Sequence, residues 1–167
     1  LKAHPDTQLA FQPGTFQMKL GKEKLADLYT HSAVCICNVE ESQRILETTE
    51  TDIKKLLTGM RALGPKIVLV TDGPKGAYMD DGTSQYFMPI YPDPKPPYER
   101  TGAGDAFSST VASALCIGLP LETALQWASI NAMSVVQDIG AQKGLLTRQQ
   151  MQEYLEKAPE NYKPTHL

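Results

Sequence analysis

No stretch of this chain approaches the ~20 consecutive apolar residues that a membrane-spanning helix requires, and no signal peptide is visible in it. Basic residues are not in excess. Sixteen Lys and Arg stand against 19 Asp and Glu, for a formal charge of −3. Binders of nucleic acid or anionic membranes carry a basic surplus, so both partners are disfavoured and any phosphate site must be local. Cysteine is scarce: Cys35, Cys37 and Cys116 are too few for a disulfide framework. Cys35 and Cys37 alternate along an apolar run, which predicts buried thiols rather than zinc ligands. That usage fits a reducing, cytoplasmic location. The three histidines, His4, His31 and His166, share no ligand spacing. Two nucleotide motifs are missing as well. There is no Gly-x-x-x-x-Gly-Lys-Ser/Thr loop, and Gly102-Ala-Gly104 lacks the third glycine of a dinucleotide fingerprint. Repeats and low-complexity tracts are absent.

What is present is an ordinary globular balance, 41% hydrophobic and 21% charged over 167 residues, enough for one domain with a real core. Thr7–Phe11 reads as a short buried strand, and Gly21–Tyr29 has helical composition with Leu25 and Leu28 on one side. Ala33–Cys37 is a continuous apolar run of the kind buried on both faces of a parallel sheet. Val39–Leu46 and Ile53–Leu63 follow as helices, the second capped by Thr51-Asp52 and stopped by Gly64-Pro65. Lys66–Thr71 is the clearest strand. Gly76–Met79 and Gln85–Met88 flank Asp80-Asp81-Gly82 as a hairpin. After the proline-laden loop Pro89–Pro97, helices at about 103–117 and 121–138 are divided by Gly118-Leu119-Pro120, and Thr147 caps a last helix ending near Ala158-Pro159. Glu160–Leu167 is polar and reads as a frayed tail. Strands alternating with helices predict an α/β layered fold with a mainly parallel sheet, whose ligands gather beyond the carboxyl ends of the strands.

Three segments carry chemistry. In Thr101-Gly-Ala-Gly-Asp-Ala-Phe107, Gly102 and Gly104 leave the backbone open to close approach, and the helix that follows presents unpaired amides at its positive end. Together they suit an anion, most naturally phosphate. Asp105 adds a carboxylate to that first turn, and a base beside an anion cradle is what phosphoryl transfer to a hydroxyl needs. On residues alone, the same segment reads equally well as a turn with an acidic first helical turn. Asn38-Val-Glu-Glu41 has the spacing of a helix capping box. Thr71-Asp-Gly73-Pro-Lys-Gly76 follows the best strand and reads as a strand-to-strand turn. The lone Trp127 reads as core rather than as a stacking platform.

Thr101–Phe107 resembles the C-terminal signature of the ribokinase/PfkB family of carbohydrate kinases. The resemblance makes Asp105 the catalytic base and the amides of Gly102, Ala103 and Gly104 its anion hole. It extends in the family's order to Asn38-x-x-Glu41, to Thr71-x-Gly73-x-x-Gly76 and to Gly140-Ala-Gln142. It implies ATP and Mg2+ as cofactors, with Asn38, Thr71, Gly73, Gly76 and Gly140 near the nucleotide and Glu41 organising magnesium through water. Counting back from Gly140 puts the adenine-facing position at Ser129. Asn131 is the alternative, and two helical positions differ by ~200°, so the pair cannot face one ligand. The signature usually opens with Asp-Thr, where this chain has Glu99-Arg100. Glu99 thereby takes the place of a residue that often serves a monovalent cation such as K+, and that site is left open.

The resemblance covers nearly the whole chain and aligns it with the C-terminal half of the family. The expected architecture is a ribokinase-like three-layer fold with the N-terminal portion and lid absent. Residues 1–160 would form the C-terminal nucleotide-binding and catalytic part, and 161–167 a tail. The start at Leu1 without methionine fits a fragment. The implied activity is transfer of the ATP γ-phosphate to a sugar hydroxyl, with a fragment of this kind inactive alone. The partners it implies are ATP and a small sugar or nucleoside, and a half-sheet of this kind is expected to associate with a second copy or with the missing half. A nucleoside kinase of the same family and a non-catalytic nucleotide-binding protein are the alternatives.

Overall fold

The structure is a computed structural model and describes His4 and residues 6–167. The chain forms two compact units. The first runs up to Gly73 and takes in Ala77–Phe87 and His166–Leu167; the second comprises Pro74–Gly76 and Met88–Thr165. Among the described residues no helix is long and apolar enough to cross a membrane.

The first unit is built on a six-stranded sheet in the order β1-β2-β3-β4-β5-β6. Its strands are β1 (Leu9–Phe11), β2 (Ser32–Asn38), β3 (Ile67–Thr71), β4 (Ala77–Asp80), β5 (Gln85–Met88) and β6 (Thr165–His166). Val34 to Cys37 and Val68 to Val70 are buried without a break, which is why these two strands read as continuous apolar runs rather than alternating ones. Parallel pairing joins β1 to β2 and β2 to β3, whereas β4 returns antiparallel to β3. The connections dictate this. Helices α3 (Val39–Leu46) and α4 (Ile53–Ala62) make the crossover from β2 to β3, while residues 72–76 allow only a tight reversal. The sheet is therefore mixed.

Phe11 and Tyr29 meet edge-to-face at 5.3 Å in the core of this unit, beside Cys35 and Cys37. Burial pushes the Cys35 thiol up to about 12 and raises Cys37 as well. Both cysteines are free and buried, as their alternation predicts, and Cys116 is exposed.

The second unit contains α5 (Ala103–Cys116), α6 (Leu121–Val135) and α7 (Arg148–Glu156). Ala106, Ala114, Ala124 and Ala128 are all buried, and small residues let helices approach closely. Asn131 Nδ2 donates to Thr110 Oγ1 at 2.8 Å, tying α6 to α5. Thr147 and Gln150 form a reciprocal capping box that opens α7. Trp127 is buried, in keeping with a core role.

Three local expectations are corrected. The helix read over Gly21–Tyr29 forms only as α2 (Ala26–Thr30), and an unexpected helix α1 (Thr15–Leu20) precedes it, because Gly21, at φ +83°, terminates α1 instead of opening a helix. Helix α6 stops at Val135 rather than near 138. The C-terminal segment is not frayed. Tyr162 is 4% exposed and its hydroxyl donates to Gln126 O at 2.7 Å, while Gln126 Nε2 donates back to Tyr162 O at 2.9 Å. At the edge of the sheet, Leu167 N donates to Gln85 O at 2.9 Å.

Candidate active site

In the first unit the residues singled out in sequence gather at the carboxyl ends of two parallel strands. Asn38 ends β2, Thr71 ends β3, and the two are register partners. Asn38 leads directly into α3. Its Oδ1 accepts from Glu41 N at 2.8 Å and Glu41 Oε2 accepts from Asn38 N at 2.9 Å. The capping box is thus complete, and Glu40 and Glu41 both lie in the first turn, where the helix dipole favours acids. Asn38 is exposed and Glu41 half-buried. Beyond Thr71 the chain makes a 3-10 turn, Gly73–Lys75. Gly73 has φ +52°, and a Cβ there would meet nothing within 4 Å. Gly76 follows at φ +107°, a conformation that excludes other residues, and groups with the second unit.

In the second unit the Gly102–Asp105 segment opens α5. Arg100 O accepts from Ala103 N at 3.3 Å, and Gly102 sits at φ +85°, ψ −7°. That is a type II turn, which demands glycine at its third position. Space demands it too. A Cβ on Gly102 would lie 2.7 Å from Ala141 Cα and 2.9 Å from Ala141 O. Gly104 differs. It is exposed, lies outside the positive-φ glycines, and a Cβ on it would meet nothing within 4 Å. No side chain caps this helix, and Asp105 stands exposed in its first turn.

Glu99 accepts a hydrogen bond from Gly140 N through Oε1, and the amides of Tyr98 and Glu99 both donate to Val136 O. The 136–141 segment is therefore fastened beside the turn that precedes α5. Ser129 and Asn131 point to different neighbours, as their spacing requires. Ser129 Oγ donates to Pro89 O at 3.1 Å and accepts from Tyr91 N at 3.0 Å. Asn131 uses Thr110 and accepts from Leu146 N at 2.9 Å. Both are buried.

The second unit thus groups Glu99, Gly102–Asp105 and Gly140, and the first groups Asn38, Glu41, Thr71 and Gly73. Ser129 is engaged with the 89–91 segment instead. Sequence reasoning missed Ala141, which sets the size limit at Gly102, and the engagement of Glu99 with Gly140. Neither leaves a local signal, because each joins segments distant in the chain.

Among the described residues no group of three or more His, Cys, Asp or Glu could hold a metal ion. A cation served by Glu41 would have to keep water and phosphate ligands, as Mg2+ does. A Cβ on Gly73 in the first unit, or on Gly104 in the second, would meet nothing within 4 Å, so in each unit the backbone there is open to approach.

The model of the pfkB family of carbohydrate kinases matches residues 8–148. Ribokinase of Bacillus subtilis is 36% identical over 94 residues, 56% of this chain and 31% of its own. A nucleoside kinase of Methanocaldococcus jannaschii is 28% identical over 156 residues, 93% of this chain and 50% of its own. The structure of Arabidopsis thaliana ribokinase complexed with ribose and ATP superposes with a TM-score of 0.71 at 29% identity, covering 78% of this chain and 43% of that one. The chain thus spans a third to a half of the length of the curated relatives it matches here, in a ribokinase-like α/β fold. It belongs to the pfkB family of carbohydrate kinases.

Proposed function

We propose that this chain carries the nucleotide-binding and catalytic part of an ATP-dependent phosphotransferase that phosphorylates a sugar hydroxyl. The observation that carries the reading is Gly104. A glycine in an exposed first helical turn, with ordinary backbone geometry and no neighbour to avoid, costs helix stability without any internal return. A ligand approaching the backbone supplies the reason.

On this reading the amides of Gly102, Ala103 and Gly104 hold the transferring phosphoryl group, and the α5 dipole adds to their effect. Asp105 accepts the proton of the attacking hydroxyl, a contribution of ~10²–10⁴ in rate. Asn38, Thr71, Gly73 and Gly76 take the nucleotide phosphates. Gly140 borders the base, and Ser129 shapes that border by fixing the 89–91 segment. Bound Mg2+ neutralises phosphate charge, and Glu41 orients its waters while capping α3. Glu99 holds Gly140 through one oxygen, and the reading assigns the other to a monovalent cation such as K+. Residues 1–160 supply these functions. Because the chain spans at most half of its curated relatives, no residue here is assigned to the acceptor, and the chain alone is expected to bind nucleotide without turnover.

A nucleoside acceptor is the second reading, favoured by a nucleoside-kinase relative that matches 93% of this chain. Calorimetric titration with ATP tests the common claim. Binding that strengthens with Mg2+ is expected, with adenosine binding far more weakly. Equal binding of ATP and adenosine would remove the phosphate contacts and the reading with them.

A further inference from the structure

Residues 136–144 follow α6 without forming helix or strand. A segment with no ladder of its own must find partners elsewhere for its backbone. Its start is held through Val136 O, which accepts from Tyr98 N at 2.7 Å and from Glu99 N at 3.4 Å. Its far end is held by packing, since a Cβ on Gly144 would lie 2.8 Å from Val135 Cα. Between these anchors, among the described residues, the bond from Gly140 N to Glu99 Oε1 is the only hydrogen bond made by the backbone of residues 139–141. A carboxylate accepting from an amide makes one of the stronger hydrogen bonds of a protein.

Two features show what that bond sets. Gly140 has φ +91°, and a Cβ on it would meet nothing within 4 Å, so the space beside it is open. Ala141, the next residue, lies against Gly102, where a Cβ would come within 2.6 Å of Ala141 Cβ and 2.7 Å of its Cα. Gly102 opens α5 and stands three residues after Glu99. The run from Glu99 to Gly102 and the pair Gly140–Ala141 therefore close a ring, joined by one carboxylate oxygen at one end and one backbone contact at the other.

We propose that Glu99 is a positioning residue that sets the spacing between the segment bordering the base and the phosphate-binding amides of Gly102–Gly104. The inference rests on the nucleotide reading given above. Both parts of the ring then hold one ligand, Gly140 at its base and Gly102–Gly104 at its transferring phosphoryl group. Where two contacts on one ligand are held at a fixed spacing, the second forms without a further ordering cost. Glu99 acts through Gly140 and supplies that spacing before the nucleotide arrives. What the position uses is reach rather than charge. Glu99→Gln keeps an oxygen at the same reach, whereas Glu99→Asp keeps the charge and withdraws both oxygens by one methylene.

Calorimetric titrations of both variants with Mg2+ present test this, with tetramethylammonium as the sole monovalent cation so that K+ contributes nothing. Glu99→Gln should bind ATP at least about tenfold more tightly than Glu99→Asp. Tripolyphosphate, which carries no base, should bind the two alike. A merely stabilising side chain would shift the melting temperature and leave the ratio of ATP to tripolyphosphate affinity alone. An equal ratio in the two folded variants, or tighter ATP binding by Glu99→Asp, would overturn the proposal and leave the nucleotide reading standing. A parental chain that binds ATP no better than adenosine would overturn both. In the unaltered chain, the Gly140 amide should exchange slowly with solvent before nucleotide is added. Exchange at the rate of an open loop would overturn the proposal even where a variant misfolds.

Discussion

Gly104→Ala separates a structural glycine from a functional one. The position is exposed, helical and open, since an added Cβ meets nothing within 4 Å. Alanine is better than glycine in a helix by ~0.5–1 kcal/mol. For a chain of this size that raises the melting temperature by about 1–4 °C. The same methyl group would stand where the phosphoryl group approaches the Gly102–Gly104 amides. Moving a phosphate out of hydrogen-bond contact should weaken ATP by about tenfold or more, equivalent to ~1.4 kcal/mol. Gly102→Ala is the contrasting variant. There φ is +85° and the methyl would sit 2.7 Å from Ala141 Cα. It should lose about 1–2 kcal/mol from the left-handed backbone alone, and more from the clash. Thermal melts and ATP titrations on both variants make the assay. A Gly104→Ala chain that melts higher yet binds ATP as tightly as the parent would refute the reasoning, because the glycine would then serve no ligand.

Asn38→Ala removes one half of the α3 capping box and should cost ~1 kcal/mol, read as a lower denaturation midpoint. If Asn38 also faces nucleotide phosphates, ATP affinity falls with it, whereas a purely capping residue leaves affinity alone in the folded fraction. The core thiols predict an alkaline limit to stability. Cys35 is held neutral by burial, with its folded value raised from 9.0 to about 12. Its contribution is therefore complete below about pH 9 and is lost as pH rises towards 12. Denaturation midpoints measured across that range should fall, and fall less in Cys35→Ala. Native alkylation at neutral pH should modify Cys116, which is exposed, and spare Cys35 and Cys37.

What could be read from the sequence was whatever is encoded locally. The β2 and β3 strands announce themselves because both of their faces are buried, and α3 because Asn38 and Glu41 cap it from within four residues. The α5 turn was equally plain, since glycine at positive φ and an uncapped helix start leave a compositional trace. That Asn38 and Thr71 lie at one rim followed from the rule that ligands gather beyond the carboxyl ends of parallel strands, whereas their register partnership came from the structure. Long-range choices were not legible. Tyr162 looks like one more residue of a polar tail until Gln126 is brought beside it. Ser129 sits at a promising register position, yet its hydroxyl is occupied by Pro89 and Tyr91 from a loop without periodicity. Gly21 misled because a glycine at either end of a short helix looks the same in composition; only its φ of +83° identifies it as a terminator.

The central claim is that Asp105 is the base of a phosphoryl transfer, and Asp105→Asn tests it most directly. Asparagine is nearly isosteric but cannot take the hydroxyl proton. The measurement pairs kcat with ATP affinity on the same protein, assayed where the acceptor-binding portion of the fold is present. We predict that kcat falls by at least ~10² while ATP affinity stays level or tightens, one negative charge near the γ-phosphate having gone. A variant that keeps near-parental kcat would contradict the account and leave Asp105 as only an acid in the first turn of α5.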